Sequence, residues 1–275
     1  MSATLISVTL DGCRFDMSAL ARDSGGELVF FIHGLGCAGE SFAGAWDHPA
    51  LSRYSLLAVD LPGFGASPAP EDFSCSLEDY AALCREIIRH VPHEKIHLAG
   101  HSMGGSIAVL LAGLIPGGPA SLMNIEGNLI GADCATSRRT AAVSYESFRA
   151  RLMRQLIIAA RSSEERGMRL WAEWSAKSDP LAFTKSARSL VAWSDSGDLL
   201  RRFLALPCRR AYFYGERNRM MPALSRLGET PTVMVSRSGH FLMIDNPDEF
   251  YTKLATSISP PGSSSSAPIS PPGPR

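Results

Sequence analysis

The stretch IHLAGHSMGGSIAVLLAGLI, residues 96–115, limits the possible folds more than any other part of the chain. Ile96 to Ala99 is an apolar run that reads as a short strand, and GGSIAVLLAGLI reads as a buried helix ended by Pro116-Gly-Gly-Pro119. Only Gly100-x-Ser102-x-Gly104 separates them, so the chain must reverse from strand to helix within a few residues. Glycines on both sides relieve the clashes of such a turn, and the serine is left on strained backbone at the sheet's carboxyl edge. The helix that begins there aims backbone N–H groups and a positive dipole end at any anion forming nearby.

Further runs fit the same plan. Leu28–Ile32 and Leu56–Val59 are continuous apolar segments of the kind covered on both faces in a parallel sheet. TLISVTL and CRFDMSAL flank Asp11-Gly12 and predict a hairpin. SLEDYAALCREIIRHV carries apolar residues at helical spacing, with Ser76 as its N-cap. ASLMNIEGN, RRAYFYGE and TPTVMVSRSGH read as later strands, and NPDEFYTKLATSI as a closing helix. A chain of 275 residues, 45% hydrophobic, can bury one large α/β core with an inserted subdomain. The expected division is a core over 1–130 and 207–258, a helical lid over 131–206, and a disordered Pro/Ser/Gly-rich tail over 259–275.

Four landmarks occur in order: HGLG at His33–Gly36, DLPGFGAS at Asp60–Ser67, GHSMGG at Gly100–Gly105 and SGHF at Ser238–Phe241. With them the chain resembles the α/β-hydrolase superfamily, of the lidded serine esterase type, over about residues 5–258. The resemblance implies a mostly parallel central sheet flanked by helices. It implies Ser102 as nucleophile and His240 as the general base that activates it, because a serine hydroxyl alone is a weak nucleophile. The backbone N–H groups of Leu35 and Met103 would form the oxyanion hole. It also implies that Asp60 and Ser67 shape a loop, and that His33 and His101 are structural.

The third triad member departs from the pattern. The family usually carries a carboxylate after the strand AYFYG, where this chain has Gly215-Glu-Arg-Asn218. Asparagine can orient an imidazole but cannot stabilise its positive charge. Glu126, at the carboxyl end of the neighbouring strand SLMNI, is the preferred acid, since adjacent strands lie about 4.8 Å apart and a buried glutamate needs a partner. Glu216, Asp195 and Asp198 are the alternatives, and Glu126 capping a loop or pairing with an arginine is the structural one.

Trp171, Trp174 and Trp193, with His33 and Gly34, are candidate pocket residues; packing within the lid accounts for the tryptophans equally well. Arg217 and Arg219 either meet an acidic substrate or carrier or are solvated. The counts of 27 Lys+Arg and 27 Asp+Glu leave no basic face for nucleic acid. The six cysteines show neither metal-site spacing nor the density of a disulfide-stapled domain. No apolar run reaches membrane-spanning length and the opening residues lack a signal-peptide pattern, so a cytoplasmic protein is expected. The expected activity is hydrolysis of a small carboxylic ester or acyl thioester, an acyl carrier being one partner it allows, with no metal or organic cofactor. C–C bond hydrolase, lactonase, perhydrolase and a catalytically weak ligand-binding homologue remain the alternatives. Oligomeric state is not legible.

Overall fold

The structure is a computed structural model describing residues 3–258; the tail expected over 259–275 lies outside the described residues. Its strands are β1 (Ala3–Leu10), β2 (Cys13–Arg22), β3 (Glu27–Ile32), β4 (Ser55–Val59), β5 (Lys95–His101), β6 (Ser121–Ile125), β7 (Arg209–Gly215) and β8 (Thr232–Val235). They form one sheet in the order β1-β2-β4-β3-β5-β6-β7-β8. The β1–β2 hairpin and the β2–β4 pairing are antiparallel, and every other pairing is parallel. Asp11 and Gly12 both take positive φ, 49° and 80°, as a two-residue hairpin turn requires. Leu28–Ile32 of β3 and every residue of β4 are buried, which is why those strands read as continuous apolar runs rather than alternating ones.

Helix α1 (Leu77–His90) starts at Ser76, whose side chain accepts the N–H of Asp79 at 3.1 Å. Helix α2 (Met103–Ala112) is buried at every position and packs on β5 and β6 and against α1. Residues between β6 and β7 form α3 (Ala135–Ala141), α4 (Tyr145–Ser147), a π-helical turn at Phe148–Leu152, α5 (Met153–Arg161), α6 (Arg166–Ser175), α7 (Pro180–Ser196) and α8 (Asp198–Ala205). Asp179 caps α7 through the N–H groups of Leu181 and Ala182, Pro180 occupies its first turn, and Gly197 at φ 76° ends it. α9 (Leu242–Asp245) and α10 (Pro247–Ile258) complete the chain, α10 packing on β6, β7 and β8. Among the described residues no helix is long and apolar enough to cross a membrane.

This topology brings the carboxyl ends of β3, β5, β6 and β7 side by side, the position where open α/β sheets hold ligands. The loop after β4 is shaped by Asp60, whose carboxylate accepts the N–H groups of Gly39 (2.7 Å) and Ala66 (2.9 Å), and by Ser67, whose hydroxyl oxygen accepts that of Ser18 (2.9 Å). At the β5–α2 turn, Ser102 has φ 53° and ψ −121°. A side chain at Gly100 would run into the Gly104 carbonyl, and one at Gly104 into the carbonyls of Ile32 and His33. The glycine spacing is therefore a steric requirement of the turn. Gly104→Ala is expected to lower stability by about 1–3 kcal/mol or more, read as a drop in the urea unfolding midpoint; an unchanged midpoint would contradict this packing.

Candidate active site

Glu126 is the first residue past β6. It adopts a left-handed φ of 46°, its N–H donates to the Phe213 carbonyl at 2.9 Å, and its side chain is fully buried. The turn it opens is tied down from several sides. Buried Asn124 accepts the Gly127 N–H (2.8 Å) and donates to the Gly105 carbonyl (3.2 Å), while the Tyr212 hydroxyl donates to the Gly127 carbonyl (3.1 Å). The carboxylate receives the Gly215 N–H at Oε1 (2.8 Å) and Asn218 Nδ2 at both oxygens (3.0 and 2.8 Å). His240 Nδ1 lies 2.7 Å from Oε2. A carboxylate accepts only, so Nδ1 carries the proton of this contact.

The other carboxylates weighed from the sequence are engaged elsewhere. Glu216 accepts the Arg237 N–H (2.8 Å), Asp195 is held by the Arg138 guanidinium, and Asp198 pairs with Arg201 (3.0 Å). Asn218 is a donor to the Glu126 carboxylate. Arg217 pairs with Glu165 at 3.0 Å.

Ser102 stands at the mouth of the β5–α2 turn. Its hydroxyl donates to Asn128 Oδ1 at 3.3 Å and forms no hydrogen bond to His240 among the described residues. His101 fixes the backbone of His240 instead. Its Nε2–H donates to the His240 carbonyl (2.8 Å), and burial holds the ring's pKa well below the usual histidine range, so it is neutral. His33 is likewise structural. It is buried, its Nε2 accepts the Leu61 N–H (2.9 Å), and its Nδ1–H donates to the Gly34 carbonyl (2.8 Å). Gly34 approaches Ser102 so closely that a Cβ there would sit 3.0 Å from the Ser102 Cβ. Leu35 lines the cleft and Met103, the first residue of α2, is buried beneath it.

The cleft over Ser102 has a volume of about 690 Å³, within the range of small-molecule sites. Leu156, Met168, Trp171, Met221 and Phe241 supply apolar wall. Of the three candidate tryptophans only Trp171 borders it, its Nε1–H donating to the Leu35 carbonyl at 2.8 Å. Trp174 is a correction: it is buried outside this cleft and donates to Glu40 (3.1 Å). Trp193 is another, since it packs beneath the Arg202 guanidinium, 5.5 Å away. Both positions serve packing, as aromatic residues at helical spacing commonly do. His33 does not border the cleft either, because its ring is spent on the loop after β4.

Asn128, Asp133 and Cys134 are among the cleft residues that the sequence did not single out. Asn128 stands two positions after Glu126 in EGN, and a second polar side chain at the same strand exit is the available signal. Burial pushes the Cys134 thiol up to about 11 and the Cys37 thiol up as well, so neither is a thiolate near neutrality. Among the described residues no three His, Cys, Asp or Glu side chains are grouped to hold a metal.

With strand order, turn geometry and site in hand, the class is plain: the sequence pattern of the Alpha/beta hydrolase family matches residues 29–253, and the chain belongs to that family. It is 30% identical to the pimeloyl-[acyl-carrier protein] methyl ester esterase of Aeromonas hydrophila over 255 residues, covering 84% of this chain and 95% of that protein. It is 36% identical over 99 residues, 36% of this chain, to the dihydrolipoyllysine-residue acetyltransferase component of the acetoin cleaving system of Pseudomonas putida, of whose length it spans 26%. The fold superimposes on an N-acyl homoserine lactonase complexed with N-hexanoyl homoserine at a TM-score of 0.73 and 20% identity, covering 94% of this chain and 96% of that one.

Asp133 supplies a pH prediction. Burial raises its carboxyl to about 6 from an ordinary 3.8, so the folded state holds the proton more tightly than the unfolded chain. Its contribution is favourable below the unfolded value and is lost as pH climbs to about 6, above which the charged form must be kept buried. Asp133→Asn is expected to gain stability relative to the parent between pH 4 and 6 and to hold that gain above. Urea unfolding at acid and neutral pH measures it; a difference that does not change with pH would refute the assignment.

Proposed function

We propose that this protein hydrolyses carboxylic esters or acyl thioesters through an acyl-enzyme on Ser102. The observation that carries the reading is the 2.7 Å contact between a fully buried Glu126 carboxylate and His240 Nδ1, beside a serine on a strained strand-to-helix turn. Substrate binding turns the Ser102 hydroxyl from Asn128 towards His240 Nε2. As Oγ attacks the carbonyl carbon the proton passes to Nε2, and Glu126 stabilises the resulting imidazolium. The N–H groups of Leu35 and Met103 receive the developing oxyanion, each worth about 3 kcal/mol of barrier in comparable sites. His240 then protonates the departing alkoxide or thiolate. Water, deprotonated by His240, cleaves the acyl-enzyme.

The apolar cleft walls favour an acyl chain as the buried portion of the substrate. The Aeromonas relative, whose name gives a methyl ester of a carrier-bound acyl group as its substrate, supports a small alcohol leaving group and an acyl chain that continues out of the cleft. Labelling by a fluorophosphonate and turnover of p-nitrophenyl esters and acyl thioesters test the reading. Ser102→Ala should abolish both, and labelling that survives this change would refute it.

Glu126→Gln is expected to lower kcat by about 10³–10⁴ with KM nearly unchanged. Asn218→Ala, which leaves the Gly215 donor in place, is expected to cost about tenfold, the worth of one hydrogen bond to a charged group. Steady-state kinetics on a p-nitrophenyl ester decide between them, and the reverse ranking would remove Glu126 as the acid.

A further inference from the structure

The amide of Asn128 has a fixed direction. Its Nδ2 donates to the Asp133 carbonyl at 2.8 Å, and a carbonyl can only accept, so the amide cannot be turned the other way. Oδ1 therefore faces Ser102 Oγ. The residue's own carbonyl accepts the Ser106 hydroxyl from α2 (3.1 Å) and the Ser194 hydroxyl from α7 (2.8 Å), and the side chain is buried against the cleft. An acceptor is thus held rigidly 3.3 Å from the nucleophile, with the Ser102 O–H as its donor.

Resting on the acyl-enzyme reading above, the acceptor loses its donor when the hydroxyl turns to His240, and acylation makes that loss lasting. Once Oγ is esterified it has no hydrogen to give, and a buried acceptor stripped of its donor is costly. The water that attacks the acyl carbon has two O–H bonds. One must point to His240 Nε2, which takes the proton; the other is free. We propose that Asn128 is a water-positioning residue for deacylation, Oδ1 accepting the second O–H of the attacking water. The water oxygen bonds to the acyl carbon and one proton moves to Nε2. The C–Oγ bond then breaks as that proton passes to Oγ, which regenerates Ser102 and its hydrogen bond to Asn128. The residue that parks the nucleophile before acylation seats its replacement afterwards.

Methanol separates this role from a structural one. It also attacks acyl-enzymes, but its single O–H is used on Nε2, leaving nothing for Oδ1. With p-nitrophenyl butyrate at a fixed methanol fraction, the ratio of methyl butyrate to butyrate therefore measures how far the site favours water. The ratio does not depend on how much enzyme is folded, so a destabilised variant still reports. Asn128→Ala is expected to raise it about fivefold to tenfold, the loss of one hydrogen bond made by water alone. Asn128→Ser, too short to reach, should do the same. A ratio unmoved by Asn128→Ala or Asn128→Ser overturns the proposal while the acyl-enzyme reading stands. A parent enzyme that yields p-nitrophenol with no methyl ester and no acylated Ser102 overturns both.

Discussion

A carboxylate buried at the end of a central strand organises this molecule. Transferring an unpaired charge from water into a protein interior costs several kcal/mol even after relaxation, so the sequence around Glu126 must supply donors. It does so from three places: the Gly215 backbone at the end of β7, the Asn218 amide just beyond, and the His240 ring from the loop after β8. These segments are remote in sequence and meet because β6 and β7 are parallel neighbours. The left-handed backbone at Glu126 and the Asn124 and Tyr212 hydrogen bonds to Gly127 follow from the same demand, for without them the carboxylate would not reach the imidazole.

The serine side is built on sterics rather than charge. Gly100 and Gly104 let the β5–α2 turn close, and Gly34 lets the loop after β3 approach Ser102. Of two buried histidines, His33 spends both ring nitrogens on backbone groups and His101 its Nε2, and burial keeps both rings neutral.

Much of this was legible in the chain. Unbroken apolar runs declared parallel strands, Asp11-Gly12 declared the hairpin, and the glycine spacing around Ser102 declared the turn, because each is a local steric or solvation rule. That Glu126 would be buried against a partner was legible for the same reason, since it is a charge that abuts an apolar strand with a turn residue behind it. Other features depended on tertiary geometry. Nothing local reveals that Trp171 borders the cleft while Trp174 and Trp193 do not, since all three sit on amphipathic helices whose rotation is set by packing. Nor does the sequence say that Asn218 donates to the Glu126 carboxylate, a relation that exists only across two strands.

Trp171 does more than wall the cleft. With Ser175 one turn further along α6, it hydrogen-bonds the carbonyls of Leu35 and Gly36, at 2.8 and 3.0 Å. Those two clasps set the peptide planes of the loop that carries the proposed Leu35 donor. Swinging α6 outward to admit a bulky molecule would release both clasps together and let the peptide planes relax. Helix α6 and the loop after β3 are thus pinned together at two adjacent points, so a displacement of either is passed to the other.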